Sequence, residues 1–214
     1  MAQPDMGTAV TLLLAAGIVY FLAGAPWQHL GIGLLVGLCL ALLLIVVAPY
    51  RLERLQTFLN PAADPLGSGY HTSQITTAIG SGGWWGLGFG QGKLKLLGYV
   101  PEVHTDSIFA VVVEELGFVR AIFVLLVFIW VILRSFSIAR RAPDGFGRYL
   151  ALGITGLLLV QTFVNLGAML GILPLTGIPL PFISYGGSSL IVMLTGIGIL
   201  LSISRVATQE VVTA

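Results

Sequence analysis

The chain has 214 residues, of which 57% are hydrophobic and 9% charged, with a net charge of +1 and a mean hydropathy of +0.99. A soluble domain carries roughly 25% charged residues, so this chain lacks the polar surface that water on all sides requires, and lipid must cover most of it. The near-zero charge also excludes nucleic acid as a partner, because binding a phosphate backbone needs clustered Lys and Arg.

Gly7 to Pro26 carries no charge and is long enough to cross a hydrocarbon core. It ends on Ala23-Gly24-Ala25, like a cleavage site, but Met1–Gly7 holds Asp5 and no Lys or Arg. The segment therefore reads as a membrane helix, not a leader. A short turn with Trp27 leads to a second uncharged span, Leu30 to Tyr50, which holds the single Cys39 as a packing residue. Arg51 to Tyr70 is a polar loop with Asn60-Pro61, Asp64-Pro65 and Gly67-Ser68-Gly69.

Thr72 to Gly92 is a weaker, glycine-rich span whose helix is expected to break before Gly92. Its run from Gly80 to Gly90 lacks the Gly-Lys-Ser/Thr ending of a phosphate loop and suits close helix packing or an unwound segment. Lys93 to Glu115 is the most polar stretch, and Leu116 to Leu133 is a fourth span with Arg120 near its start. Arg134, Arg140, Arg141 and Arg148 share the next loop with Asp144. From Tyr149 to Ser204 no charge occurs, and Pro174, Pro179 and Pro181 divide this stretch into two further spans.

The expectation is an all-α, polytopic integral membrane protein. It forms a single membrane domain over residues 1–214, with about six transmembrane helices near 7–26, 30–50, 72–90, 116–133, 149–172 and 187–204. One side then carries Arg51, Arg54, Arg134, Arg140, Arg141, Arg148 and Arg205, against Lys93, Lys95 and Arg120 on the other. The positive-inside rule puts both termini in the cytoplasm and two functional loops, Lys93–Glu115 and Pro174–Gly186, outside.

Chemistry is expected in those loops. Pro101-Glu102-Val103-His104-Thr105-Asp106-Ser107, with Glu114-Glu115 behind it, gathers four carboxylates and a histidine at the mouth of two spans. Ionisable groups near bilayer depth are costly and mark pathways or reaction sites, and a carboxylate there can act as a general base. The competing reading is a solvated loop in which Thr105 or Asp106 caps the next helix. Lys93 and Lys95 could hold a pyrophosphate or simply snorkel at a helix end. In the second loop, Pro179 to Ser189, a backbone broken by Pro and Gly at membrane depth must line a cavity or bury itself in protein. Ser184, Ser188 and Ser189 could donate to an anionic headgroup, or Ser and Gly could merely cap the last span. Gln161 and Asn165 inside the fifth span read as interhelical hydrogen-bonding residues. His29, His71 and His104 lack the spacing of a structural metal site.

Taken together, six co-linear motifs resemble the SEDS family, the peptidoglycan glycosyltransferases typified by FtsW and RodA. They are Gln3–Ala9, Ala78–Gly83, Leu87–Gly90, Pro101–Asp106, Glu114–Gly117 and Pro179–Ser189. The stretches Gln91–Tyr99 and Arg134–Tyr149 and the Pro-Leu-Pro-Phe-Ile-Ser-Tyr run look more like the division-type FtsW. The resemblance implies polymerisation of lipid II on the outer face of the bacterial cytoplasmic membrane, with undecaprenyl pyrophosphate as leaving group. It puts Asp106 in the role of base. It assigns substrate binding to Glu102, His104, Thr105, Lys93, Lys95, Pro181, Ser184, Tyr185, Gly186, Gly187 and Ser188. A class B penicillin-binding protein, a transpeptidase, and the division machinery are the implied partners. The resemblance leaves room for a divalent cation (Mg or Mn) at the pyrophosphate, for which the sequence shows no ligand set. Family members have about ten spans, and Gln3-Pro4-Asp5 normally opens the fifth, so the chain corresponds to the C-terminal part of that fold. Arg120 stands where the family usually has Gly. A lipid II flippase and a non-catalytic division scaffold are the rival readings. The charge-free interior of the spans speaks against transit through them.

Overall fold

The computed structural model describes residues 6–47, 52, 56–60, 68–92 and 105–213. Its main elements are the helices α1 (Met6–Leu22), α2 (Trp27–Val47), α3 (Ser68–Gly82), α4 (Ile108–Arg140), α5 (Gly145–Met169) and α6 (Gly187–Thr213). The chain is an all-α membrane protein. Three of the described helices, Ile108–Arg140, Gly145–Met169 and the part of α6 over Gly187–Ala207, are long and apolar enough to cross a bilayer, and Gly7–Leu22 is a shorter apolar helix.

α5 is the axis of the bundle. Of its apolar window 61% is buried, against 17% for α4 and for α6, which turn most of their side chains outward. Small residues make that central place tenable, because Ala151, Thr155, Gly156, Gly167 and Ala168 let neighbours come close. Gly156 lies against Ala15 of α1, where an added Cβ would sit 3.4 Å from the Ala15 carbonyl oxygen. The hydroxyls of Thr155 and Thr162 donate to the Ala151 and Leu158 carbonyls one turn back, so neither is left unsatisfied in an apolar interior. Asp144 caps α5 by accepting from the Gly147 N–H at 3.0 Å. Leu13, Leu35, Phe123, Trp130, Leu133, Ile191 and Leu201 are large apolar side chains left exposed on the described helices.

Two apolar clusters mark the ends of the bundle. Ile75 and Ala78 of α3, Phe109, Val113 and Phe128 of α4, Met169 of α5 and Leu180 form one. Ala139, Ala151, Leu152 and Leu200, backed by Val19, Phe136 and Ile203, form the other. Gly171, at φ 70, ends the turn after α5, and the N–H groups of Ile172 and Leu173 return to the Gly167 carbonyl.

The glycine-rich run after α3 explains how α4 is shaped. α4 begins at Ile108, ahead of the apolar stretch that starts at Leu116, and it is interrupted at Gly117 (φ 81, ψ 170). The interruption frees backbone groups that a membrane protein must satisfy. Residues 83–88 lie across it and do so. The Leu87 and Gly88 N–H groups donate to the Glu114 and Glu115 carbonyls, each at 3.0 Å. In return Phe118 and Val119 donate to the carbonyls of Gly83 and Trp84, at 2.9 and 3.3 Å. Trp84 meets Phe118 edge-to-face at 5.5 Å.

Arg120 adds to this crossing, since its guanidinium Nη1 donates to the carbonyls of Trp85 (3.1 Å) and Leu116 (3.3 Å). Arg120 thus straps the break. Arg120→Gly removes both bonds but leaves the four backbone bonds in place. The expected loss is about 1 kcal/mol, a fall of about 2–4 °C in the unfolding midpoint in detergent. An unchanged midpoint would show that the strap contributes nothing.

Candidate functional site

Asp106 and the Pro-rich loop, remote in sequence, come together at one end of the bundle. Asn165, near the C-terminal end of α5 and 2% exposed, is the link. Its side-chain Nδ2 donates to the Asp106 carbonyl at 2.7 Å and to the Ile178 carbonyl at 2.8 Å. One amide group therefore uses both of its protons to tie the two loops to the central helix. Asn165→Ala leaves two carbonyls without that donor, at about 1–3 kcal/mol for each buried group. We expect a lower unfolding midpoint and faster hydrogen exchange over residues 178–186. Equal exchange in variant and parent would show that Asn165 does not clamp the two loops.

Around Asp106 the arrangement is local and polar. The carboxylate is half-buried just before α4. Its Oδ1 accepts from the Thr105 hydroxyl at 3.2 Å and from the Ser107 hydroxyl at 3.3 Å. No hydrogen bond reaches Oδ2 among the described residues. Ser107 is fully buried, and its Oγ is 2.9 Å from Nε2 of His71 on α3. The capping expectation fails here. The N-cap position of α4 is Ser107, not Thr105 or Asp106, and its side chain makes no capping bond. Ser107 instead turns its hydroxyl toward Asp106 and His71, so this end of α4 is organised around the carboxylate.

The second loop is held tightly. Pro181 is among the most fully buried residues, so it supports the loop from within and offers no surface for a ligand. Ser184 Oγ accepts from the Leu180 N–H at 2.7 Å, and the Ser184 N–H returns to the Leu180 carbonyl at 3.1 Å. The Ser184 hydroxyl thus closes the turn as an acceptor. Phe182 at that turn has φ 65, a conformation that costs a residue with a side chain of the order of 1–3 kcal/mol. Tyr185 is 80% exposed, and Gly187 and Ser188 open α6, both exposed, with Gly186 half-buried before them.

Glu114 and Glu115 do not join Asp106. They are buried in α4 beside the glycine crossing, where Ser81 Oγ lies 3.5 Å from Glu114 Oε1. Gly92 faces both carboxylates, and an added Cβ there would lie 3.0 Å from Glu114 Oε2 and 3.1 Å from Glu115 Oε1. Lys93, Lys95, Glu102 and His104 lie outside the described residues. No three His, Cys, Asp or Glu side chains among the described residues are grouped to share a metal ion.

His71 carries no local signal that would single it out, because its partner Ser107 is 36 residues away. Asn165 was legible as a hydrogen-bonding residue, but not as the clamp between loops.

Such a bundle, with a half-buried carboxylate and a strained Pro-Gly turn on one end, defines a polytopic membrane protein with its polar site at the mouth of its helices. The chain belongs to the FtsW/RodA/SpoVE family, whose model, described as a cell cycle protein, matches residues 1–209. It is 45% identical to a probable peptidoglycan glycosyltransferase FtsW of a Geobacter species, over 95% of this chain and 55% of that protein. It is also 45% identical to the peptidoglycan glycosyltransferase MrdB of Escherichia coli, over 94% of this chain and 55% of that protein. A solved chain described as "Structural coordination of polymerization and crosslinking by a peptidoglycan synthase complex" superposes with a TM-score of 0.76 at 37% identity. That match covers 97% of this chain and 57% of the solved one. The chain thus spans a little over half the length of the relatives it matches.

Proposed function

We propose that this chain carries the Asp106 site of a glycosyltransferase that polymerises lipid II during septal wall synthesis, as a multi-pass protein of the bacterial cytoplasmic membrane. The observation that carries the reading is the half-buried Asp106, anchored through Oδ1, with no hydrogen bond to Oδ2 among the described residues. In the proposed step the acceptor sugar hydroxyl gives its proton to Oδ2. Its oxygen forms the new bond to the anomeric carbon of the donor. The bond from that carbon to the pyrophosphate oxygen breaks, and its electron pair leaves with undecaprenyl pyrophosphate.

The two loops divide the work. Asn165 holds the base at a fixed distance from the Pro-rich turn. The exposed start of α6 at Gly187 and Ser188 offers free helix N–H groups and a hydroxyl to the pyrophosphate, and Tyr185 an exposed ring to the glycan. Lys93, Lys95, Glu102 and His104 complete the proposed substrate contacts. The loops face outward and both termini lie in the cytoplasm, which keeps the arginine-rich loops inside. A class B penicillin-binding protein is the proposed partner. The family relationship and the peptidoglycan synthase complex among the structural matches support that pairing.

A flippase is the competing function, and one preparation separates the two. The chain is reconstituted with a transpeptidase partner in liposomes holding fluorescent lipid II in both leaflets. A transferase converts outer-leaflet lipid II into polymer and leaves the inner pool protected. Exchange of the two pools without polymer would establish transport and end the transferase reading.

A further inference from the structure

We propose that His71, acting through Ser107, is a positioning residue for the Asp106 carboxylate. A hydroxyl has one proton to give. Ser107 Oγ lies between Asp106 Oδ1 at 3.3 Å and His71 Nε2 at 2.9 Å. If the serine proton goes to the carboxylate, the histidine must donate to the serine oxygen, which requires a proton on Nε2 of His71. The chain of donors then runs from α3 through the N-cap position of α4 to the base.

Three features make this more than a surface contact. Ser107 is completely buried, so its hydroxyl cannot turn to solvent for another partner. Its side chain forgoes the capping bond that Ser at this position normally makes. And α3 is held to α4 by Ile75, Ala78, Phe109 and Val113 in one apolar cluster, so the histidine is presented by a packed helix. Both hydroxyl bonds land on Oδ1, and none reaches Oδ2 among the described residues. At 3.2 and 3.3 Å they are long for O–H···O bonds, as catalytic bonds often are before substrate binds. His71 is thus the far end of a two-bond strut that fixes Oδ1 of the carboxylate.

The inference deepens the transferase reading and rests on it for its catalytic meaning, but its geometry can be tested separately. In the detergent-solubilised chain with 15N-labelled histidine, His71, assigned by comparison with His71→Gln, should show a protonated Nε2. That signal should move in Ser107→Ala. An unprotonated Nε2, or a signal indifferent to Ser107→Ala, overturns the strut whatever the chain's activity.

In the polymerisation assay with its transpeptidase partner, His71→Ala should lower kcat about tenfold with KM little changed. His71→Gln, whose amide can donate to Ser107, should recover most of the loss. Equal loss in the two variants would show that the position serves packing alone, and the inference falls. If Asp106→Asn retains activity, the transferase reading fails instead, while the histidine spectrum still decides the strut.

Discussion

Asp106→Asn is expected to lower the rate of lipid II polymerisation by about 10²–10⁴-fold, the range that a positioned general base contributes. Asn is nearly isosteric and can keep one oxygen in the place of Oδ1, where the Thr105 and Ser107 hydroxyls donate. What it cannot do is accept a proton at the second position. Folding, partner binding and KM should therefore change little, and the loss should fall on kcat. The bond from Asn165 goes to the backbone carbonyl of residue 106, which the substitution leaves intact. A variant that binds its partner and lipid II normally but polymerises at the parent rate would remove Asp106 from the chemistry. A variant that fails to fold would contradict the claim that the side chain is held only by local hydroxyls.

The largest structural effect is expected at the glycine crossing. Gly117, at φ 81 and ψ 170, occupies a region essentially open only to glycine, at a cost of about 1–3 kcal/mol to any other residue. A Cβ there would also overlap the backbone of Trp85 and Gly86, and neither can retreat without breaking the paired bonds to α4. Gly86, at φ 83, meets the Glu115 backbone in the same way. Gly117→Ala and Gly86→Ala should each cost more than about 3 kcal/mol, enough to abolish a monodisperse peak in size-exclusion chromatography. Gly80→Ala is the matched control, because it is helical in α3 and nothing lies within 4 Å of the added Cβ. It should be neutral or slightly stabilising. Normal yield from Gly117→Ala would mean that the break in α4 is not obligatory.

These two sites show what the sequence could disclose. Charge-free runs announce membrane helices because lipid penalises each charge separately, a property of single residues summed over a window. A helix break before Gly92 was legible for a similar reason, as a cluster of glycines, and the helix ends at Gly82. Its counterpart at Gly117 was not, since a lone glycine in an apolar run says nothing about what crosses it. Glu114 and Glu115 read either as part of the polar loop or as early turns of the next helix; they lie in α4, and what the sequence did not show is their burial beside the break. Asp106 stood out through its motif. The strut from His71 and the clamp from Asn165 are pairings across 36 and 59 residues, and no local pattern encodes them. The role of Ser107 was hidden differently, because Thr105-Asp106-Ser107 offers three good caps in a row and only the fold decides which side chain is diverted.

The most direct test of the central claim is glycan synthesis from purified lipid II, read as a ladder on a gel. The chain would be assayed with a class B penicillin-binding protein, both alone and co-expressed with the remaining half of a relative's fold. The account predicts a ladder when the full set of helices is present, and its loss in Asp106→Asn. A ladder undiminished by Asp106→Asn, or no ladder in either preparation with an active partner, would contradict it.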